Sequence, residues 1–443
     1  MTIYALSSGS GISGIAVIRI SGPETKEIIR KMTSGSFPKA KQATLKKISK
    51  IESKEVIDQG IVIWFPGPES YTGEDMAEFH VHGSVAVIEA IQASVSKIAN
   101  CRLAEPGEFT KLAFQNGKIN LLKAESISDL ISSETEIQRK QAINIMTGKS
   151  SEVYDDLRGR LIKALSNIEA KIDFPEEEIP EKIIKEVKKN IDYVIEKIQK
   201  ILNDQKVGER IREGFKISIV GPTNAGKSSL LNYLSKREVA IVSEIAGTTR
   251  DIIEVHLNLD GYPVTISDTA GIRDSKDEIE KKGIKLALNS ADNSDLNLIV
   301  VEPKSVDFTS YLKDIVTKNS ILVVNKIDLG IERVNDEIIK FNPLHISIKE
   351  EKNLDKLINL IKESLKNKFV DTKDIYITRQ RHRTSLEKCV EHLSNFEKKN
   401  SINDFDKAAE DLRLATRHLG MIVGKVDVEE ILGSIFEDFC IGK

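Results

Sequence analysis

The sequence predicts a multidomain chain that combines α/β and all-α parts. Three observations predict it. The chain has 443 residues, which at about 150 residues per domain suggests about three domains. Strand signals occupy the first 118 residues or so, vanish from about 119 to 205, return from 215 to about 368, and vanish again. A glycine-rich segment ending in Lys227-Ser228 opens the second strand-bearing region.

In chain order, residues 15–20 and 61–65 are short apolar runs bounded by Gly and Pro, as buried strands are. Residues 76–81 alternate, and 85–99 carry helical spacing. Pro66-Gly67-Pro68 and Pro106-Gly107 read as turns. Further on, Leu157, Leu161, Ile162, Leu165, Ile168 and Ile172 recur at three- and four-residue spacing, which marks one helix face. Residues 173–180 break that run, and a second amphipathic run covers 181–202. After the second strand-bearing region, the spacing predicts helices over 384–396, 404–419 and 427–439. These shifts divide the chain into 1–118, 119–210, 211–370 and 371–443. Either the two helical stretches form one domain interrupted by an insertion, or four domains follow one another. Spacing alone leaves both open.

Hydrophobic content of 40% with 30% charge suits a folded soluble protein and excludes a mostly disordered one. No apolar run nears the ~20 residues needed to span a bilayer, and residues 1–11 lack a secretory-signal pattern. Cys101, Cys389 and Cys440 are too few and too scattered for a disulfide framework or a zinc cluster. A cytoplasmic setting is expected. The net charge of −3 conceals a basic start: residues 1–50 carry nine Lys or Arg against Glu24 and Glu27. Such a face suits an anionic partner or, equally, a solvated lysine-rich surface.

Gly221-Pro222-Thr223-Asn224-Ala225-Gly226-Lys227-Ser228 fits the phosphate-loop pattern, between an apolar run at 216–220 and a helix-compatible 229–234. Its glycines let backbone N–H groups surround phosphate oxygens, and the helix N-terminus adds a positive end. Lys227 is expected at the β- and γ-phosphates and Ser228 on Mg2+. Asp268-Thr269-Ala270-Gly271 ends the run 264–267, which places a carboxylate near the metal. Asn325-Lys326-Ile327-Asp328 ends the buried run 321–324. A carboxylate at 328 accepts from guanine N1–H and the exocyclic amine, a pattern adenine lacks, so GTP is expected over ATP. Ser347-Ile348-Lys349 lies where a guanine O6 contact comes.

Ile272 follows Gly271 where Ras-like enzymes place a water-orienting Gln. Another group must hold the water, and Asp274, Asp277, Glu278 and Glu280 offer carboxylates. Arg250 and Arg273 offer positive charge. The segment Gly247-Thr248-Thr249-Arg250-Asp251 reads as a switch loop with Thr249 as a second Mg2+ ligand. A P-loop fold without GTP hydrolysis is the plainer alternative.

These motifs, with Tyr71-Thr72-Gly73-Glu74-Asp75, Asp173-Phe174-Pro175-Glu176-Glu177 and the terminal Phe439-Cys440-Ile441-Gly442-Lys443, resemble the MnmE (TrmE) family of tRNA-modification GTPases. Era-like GTPases share the nucleotide motifs but not these flanks. The resemblance covers essentially the whole chain. It implies an N-terminal tetrahydrofolate-binding and dimerisation domain, and a helical domain interrupted by a Ras-like G domain. It also implies a homodimer that joins the flavoprotein MnmG (GidA) in a heterotetramer. Together they add a carboxymethylaminomethyl-type group at C5 of the tRNA wobble uridine. A folate in its 5-formyl or methylene form supplies the carbon.

By the same resemblance the GTP set is Asn224, Ala225, Gly226, Lys227, Ser228 and Ser229, then Ser243, Glu244, Ile245, Ala246, Gly247, Thr248 and Thr249. Asp268, Thr269, Ala270, Gly271, Asn325, Lys326, Asp328, Ser347, Ile348 and Lys349 complete it. Asn224, Ser243, Ile245 and Thr248 match a K+ site that stands in for an arginine finger, and Glu280 matches a water-orienting glutamate. Arg19, Glu78, Lys118 and Lys443 match folate contacts. Pro222-Thr223 departs from the usual Arg-Pro, and Ile348 from the usual Ala.

Cys440, fourth from the end, invites a prenylation reading, but Gly442 and Lys443 fit it poorly. A helix end at 439 opposes thiolate formation while Lys443 favours it. The resemblance suggests a functional cysteine near the folate pocket; a small buried thiol is the alternative. His80 and His82 share a strand face, but ordinary packing explains them better than a metal does. A GTP-switched ribosome-assembly or RNA-binding factor of the Era-like type is the competing function.

Overall fold

The computed structural model describes residues 1–173, 181–237, 239–241, 253–268, 288–304, 312–317, 319–330, 334–368, 375–399, 405–426, 432, 435–436 and 439–442. Most of the expected break at 173–180 and most of the expected helix over 427–439 lie outside them. The chain divides into two compact units: residues 1–128, 146–158 and 416–443 form one, and 129–145 and 159–415 form the other.

The first unit is built on a six-stranded sheet of order β3-β4-β5-β2-β1-β6. Its strands are β1 (Thr2–Leu6), β2 (Ser13–Ser21), β3 (Thr44–Ser49), β4 (Val56–Phe65), β5 (Met76–Gly83) and β6 (Cys101–Leu103). Only β6 pairs parallel, against β1. Helices α1 (Thr25–Met32), α2 (Val85–Val95) and α3 (Glu108–Gln115) complete it. The period-two alternation separates two faces. Ile18, Ile20, Phe79 and Val62 are buried with Ile28, Ile29 and Met32 of α1 and Ile91 and Val95 of α2. Arg19 and Glu78, directly paired in register, therefore emerge on the opposite face. Ser84 caps α2 by accepting from Val87 N–H.

Four helices follow in sequence, with no strand among the described residues between them: α4 (Leu121–Ile131), α5 (Glu136–Met146), α6 (Lys149–Asp173) and α7 (Glu181–Leu202). Short α8 (Val207–Glu213) then leads into the second sheet.

That sheet has the order β13-β12-β11-β7-β10-β9-β8. Its strands are β7 (Phe215–Val220), β8 (Val239–Ile241), β9 (Ile253–Leu259), β10 (Tyr262–Asp268), β11 (Leu296–Val301), β12 (Ser320–Val324) and β13 (Leu344–His345). Strands β13, β12, β11, β7 and β10 run parallel, β9 pairs antiparallel with β10, and β8 pairs antiparallel with β9. Ile217, Ile219, Leu298, Val300 and Val323 pack on one face with Leu230 and Leu234 of α9 (Lys227–Arg237) and Leu357 and Ile361 of α10 (Leu354–Lys368). Val220, Ile299, Val301 and Val324 pack on the other face with Leu312 and Ile338. Burial on both sides explains why these strands read as unbroken apolar runs.

Helix α11 (Gln380–Lys399) packs against α7. Arg383 of α11 donates to both carboxylate oxygens of Glu209 in α8, at 3.0 and 2.7 Å. Helical segments from before and after the second sheet thus meet each other, which is the interrupted-helical-domain arrangement. Helix α12 (Phe405–Val423) follows.

Candidate functional site

The nucleotide site lies at the carboxyl ends of the parallel strands of the second unit. Strand β7 is flanked by β11 on one side and β10 on the other, the switch point where open α/β sheets bind ligands. Buried β7 ends at Val220, and the chain turns at Gly221 with φ +156°. A Cβ there would stand 2.0 Å from the carbonyl oxygen of Val300, so only glycine lets the loop leave the strand at this point. A Cβ on Gly226 (φ +99°) would meet Asn325 Nδ2 at 2.3 Å.

Helix α9 begins at Lys227, whose Nζ donates to the carbonyl oxygens of Gly221 at 2.9 Å and Pro222 at 2.8 Å. The ammonium is buried at the mouth of the loop it serves. Asn224 adopts a left-handed φ of +63° and is exposed, as are Ser228 and Ser229. Backbone amides, an ammonium and a serine hydroxyl at a helix N-terminus are a donor set that fits a polyphosphate with its Mg2+.

The base side of the site is held from three directions. Asn325, after β12, donates from Nδ2 to the Ala225 carbonyl oxygen at 3.0 Å and accepts from the Ile348 N–H at 3.2 Å. Ser347 donates from Oγ to Asp328 Oδ1 at 2.7 Å. That bond, first among several causes, holds the Asp328 carboxyl below the usual carboxylate range. Lys326, in the left-handed region at φ +64°, pairs its ammonium with Glu302. Sequence reasoning passed over Glu302, although an acidic residue directly after buried β11 stands at the functional end of a parallel sheet.

Asp268 ends β10 beside β7. Ser243, Glu244, Ile245, Ala246, Gly247, Thr248, Thr249, Thr269, Ala270, Gly271 and Glu280 lie outside the described residues, as does Lys443.

The first unit brings a second constellation together. Arg19 donates to Glu78 Oε1 from Nη2 at 2.9 Å and from Nε at 3.2 Å. Its guanidinium lies over the rings of Tyr71 and Phe109, 5.6 and 5.7 Å from their centroids. The Tyr71 hydroxyl bonds Thr110 Oγ1 at 2.9 Å, and burial pushes its pKa up. Glu78 Oε2 faces His80 Nε2 at 3.1 Å, while His82 pairs separately with Asp58. Among the described residues no three His, Cys, Asp or Glu are grouped to hold a metal ion.

Lys118 borders the same loop as Tyr71: its Cε would lie 3.2 Å from a Cβ placed on Gly73, and Asn116 donates to the Thr72 carbonyl oxygen. The terminal segment returns here as well. Ile441 bridges Pro106, the Ser7 hydroxyl donates to the Gly442 carbonyl oxygen at 2.7 Å, and Cys440 is exposed. A carboxylate acceptor, two cations and flanking aromatic rings are a donor set that fits a pterin with an anionic tail. Tyr71 was legible as a motif residue. Phe109 and Thr110 carried no signal of their own.

Fold and site together define a guanine-nucleotide-binding P-loop protein of the GTP hydrolase class. Comparison with known proteins narrows this. A family model described as the MnmE helical domain matches residues 121–440, and one described as the GTP-binding protein TrmE N-terminus matches residues 2–118. The "tRNA modification GTPase MnmE" of Pelagibacter ubique is 68% identical over 443 residues and covers 100% of both chains. Proteins of the same name from Rickettsia rickettsii and Rickettsia akari are each 44% identical, again over 100% of both chains. A solved G domain of the T. maritima FeoB iron transporter is 23% identical, covering 34% of this chain and 98% of that one, with a TM-score of 0.26. The chain belongs to the MnmE family of tRNA modification GTPases. No described helix is long and apolar enough to cross a membrane.

Proposed function

We propose that the chain is a potassium-activated GTPase that acts with an MnmG-type flavoprotein. The pair adds a carboxymethylaminomethyl-type group at C5 of the wobble uridine of certain tRNAs. The observation that carries this reading is the Arg19–Glu78 pair between Tyr71 and Phe109. A pure GTP switch has no use for a half-buried carboxylate and cation under aromatic rings. A folate does, and it supplies the one-carbon unit when bound.

In this reading residues 1–118 bind folate and form the homodimer, 119–210 and 371–443 form the helical domain, and 211–370 form the G domain. The setting is the cytoplasm. Lys227 turns its ammonium from the Gly221 and Pro222 carbonyl oxygens to the β- and γ-phosphates. Ser228 and Thr249 hold Mg2+, and Glu280 orients the water. Exposed Asn224, with Ser243, Ile245 and Thr248, holds K+, which brings positive charge to the transferring phosphoryl group. Cys440 and Lys443 sit beside the folate site.

Nucleoside mass spectrometry of tRNA from cells lacking the protein tests the reading. Loss of the C5 modification is expected, and normal wobble uridines would sink it. GTP hydrolysis compared in K+ and Na+ buffers tests the potassium site, with faster turnover expected in K+.

A further inference from the structure

The first unit carries a basic surface that neither the nucleotide site nor the Arg19–Glu78 site uses. It is knit from α1, the connection 33–43, β3 and the end of β4. Phe37 and Trp64 meet edge to face with centroids 5.0 Å apart. Arg30 lies 5.6 Å from the Phe37 centroid and Lys26 lies 5.5 Å from that of Trp64. Lys46 is buried beneath the Ser34-Gly35-Ser36 loop, and its ammonium donates to the carbonyl oxygens of Ser34 and Ser36. Among the described residues it has no carboxylate partner, and neither do exposed Arg30 and Lys39.

We propose that this surface docks the phosphate backbone of tRNA. The inference rests on the tRNA-modification reading and adds the place where the RNA is held. Buried Lys46 fixes a positive charge under a loop with two exposed hydroxyls, and Arg30 and Lys39 extend that charge outward. The paired neighbours Lys26, Lys31 and Lys41 are each about half-exposed. Exposed pairs are weak, so phosphate oxygens can replace their carboxylate partners. Cations held against aromatic rings are a recurrent arrangement on RNA-binding surfaces. Salt-sensitive binding without base specificity is the expected character of such a surface.

The test is the full-length R30A/K39A variant, titrated with transcribed tRNA across a salt series. Both side chains are exposed, so folding and GTP turnover should match the parent. The expected result is an affinity loss of about tenfold or more, and a log K against log salt slope shallower by about 1–2. Parent-like affinity and slope in the variant overturn the docking surface while leaving the tRNA reading intact. A parent chain that binds no tRNA overturns both. Loss of binding to phosphatidylglycerol vesicles, with tRNA binding unchanged, reassigns the surface to lipid and also overturns the proposal.

Discussion

Asn325 ties the two ends of the nucleotide site together. Its Nδ2 donates to the Ala225 carbonyl oxygen in the phosphate loop, and its Oδ1 accepts from Ile348 N–H on the base side. The residue is buried, so truncation to Ala leaves a carbonyl and an amide unpaired away from water. Each such loss costs about 1–3 kcal/mol. Because both loops move off register together, Asn325→Ala should weaken GTP binding by about tenfold or more. Titration with a fluorescent GTP analogue, alongside a circular-dichroism check of folding, measures it. Parent affinity in a folded variant would show that the bridge does not position the site.

Asp328 makes a prediction about pH. The Ser347 hydrogen bond lowers its pKa, so the carboxylate keeps its full acceptor capacity down through the ordinary Asp value of about 3.9. The capacity fades only as pH falls through the lower folded value. Preference for GTP over ATP should therefore be flat from pH 5 to 8 in competition assays. Asp328→Asn should lose that preference and gain affinity for xanthosine triphosphate, whose 2-carbonyl accepts what the new amide donates. Unchanged GTP preference in Asp328→Asn would remove this residue from base recognition.

What the sequence revealed and what it hid divides along chain distance. The phosphate loop was legible because Gly221 to Ser228 act as neighbours on one turn, and the apolar runs of β7 and β12 flagged their strands. The Asn325 contact to Ala225 spans 100 residues, and the Ser7 contact to Gly442 spans 435. Such contacts are set by strand order and register, which local periodicity does not encode. Arg19 and Glu78 were named from family resemblance. Their direct cross-strand pairing, and the aromatic rings over it, come from the β2–β5 register.

That pairing can be tested through the ligand it would serve. Arg19 and Glu78 side chains are 19% and 16% exposed, so Arg19→Ala leaves a largely buried carboxylate without its arginine partner. A hydrogen bond to a charged group is worth about 1.5–3 kcal/mol. Affinity for 5-formyltetrahydrofolate, read by calorimetry, should fall by about tenfold or more while GTP affinity is unchanged. Equal folate affinity in parent and variant would remove the pair from the pocket.

The three thiols should react in a fixed order. Cys440 is exposed, Cys101 is half-buried and Cys389 is buried. Burial pushes the Cys389 thiol far up, and burial with nearby Glu24 and Glu27 raises that of Cys101. Thiolate is the reactive form, so iodoacetamide at pH 7.5 should label Cys440 first, Cys101 more slowly and Cys389 only on unfolding. Peptide mass spectrometry over time reads this order, and early labelling of Cys389 would contradict the packing of α11.

Arg383 is the residue whose loss should most loosen the second unit. Its guanidinium binds Glu209 through two bonds, Asp204 at 2.6 Å and the Leu202 carbonyl oxygen at 3.1 Å. The side chains of Arg383 and Glu209 are 8% and 9% exposed. Removing one partner of a buried pair leaves an uncompensated charge and costs about 3–5 kcal/mol, whereas replacing both by apolar groups is often neutral. A chain of several units has no single unfolding free energy, so the readout is hydrogen exchange in α8 and α11. Arg383→Met should speed exchange there by about 100-fold, close to 3 kcal/mol. Adding Glu209→Leu should restore most of the protection. If the double variant exchanges as fast as the single one, packing by the arginine stem, rather than charge compensation, holds α8 to α11.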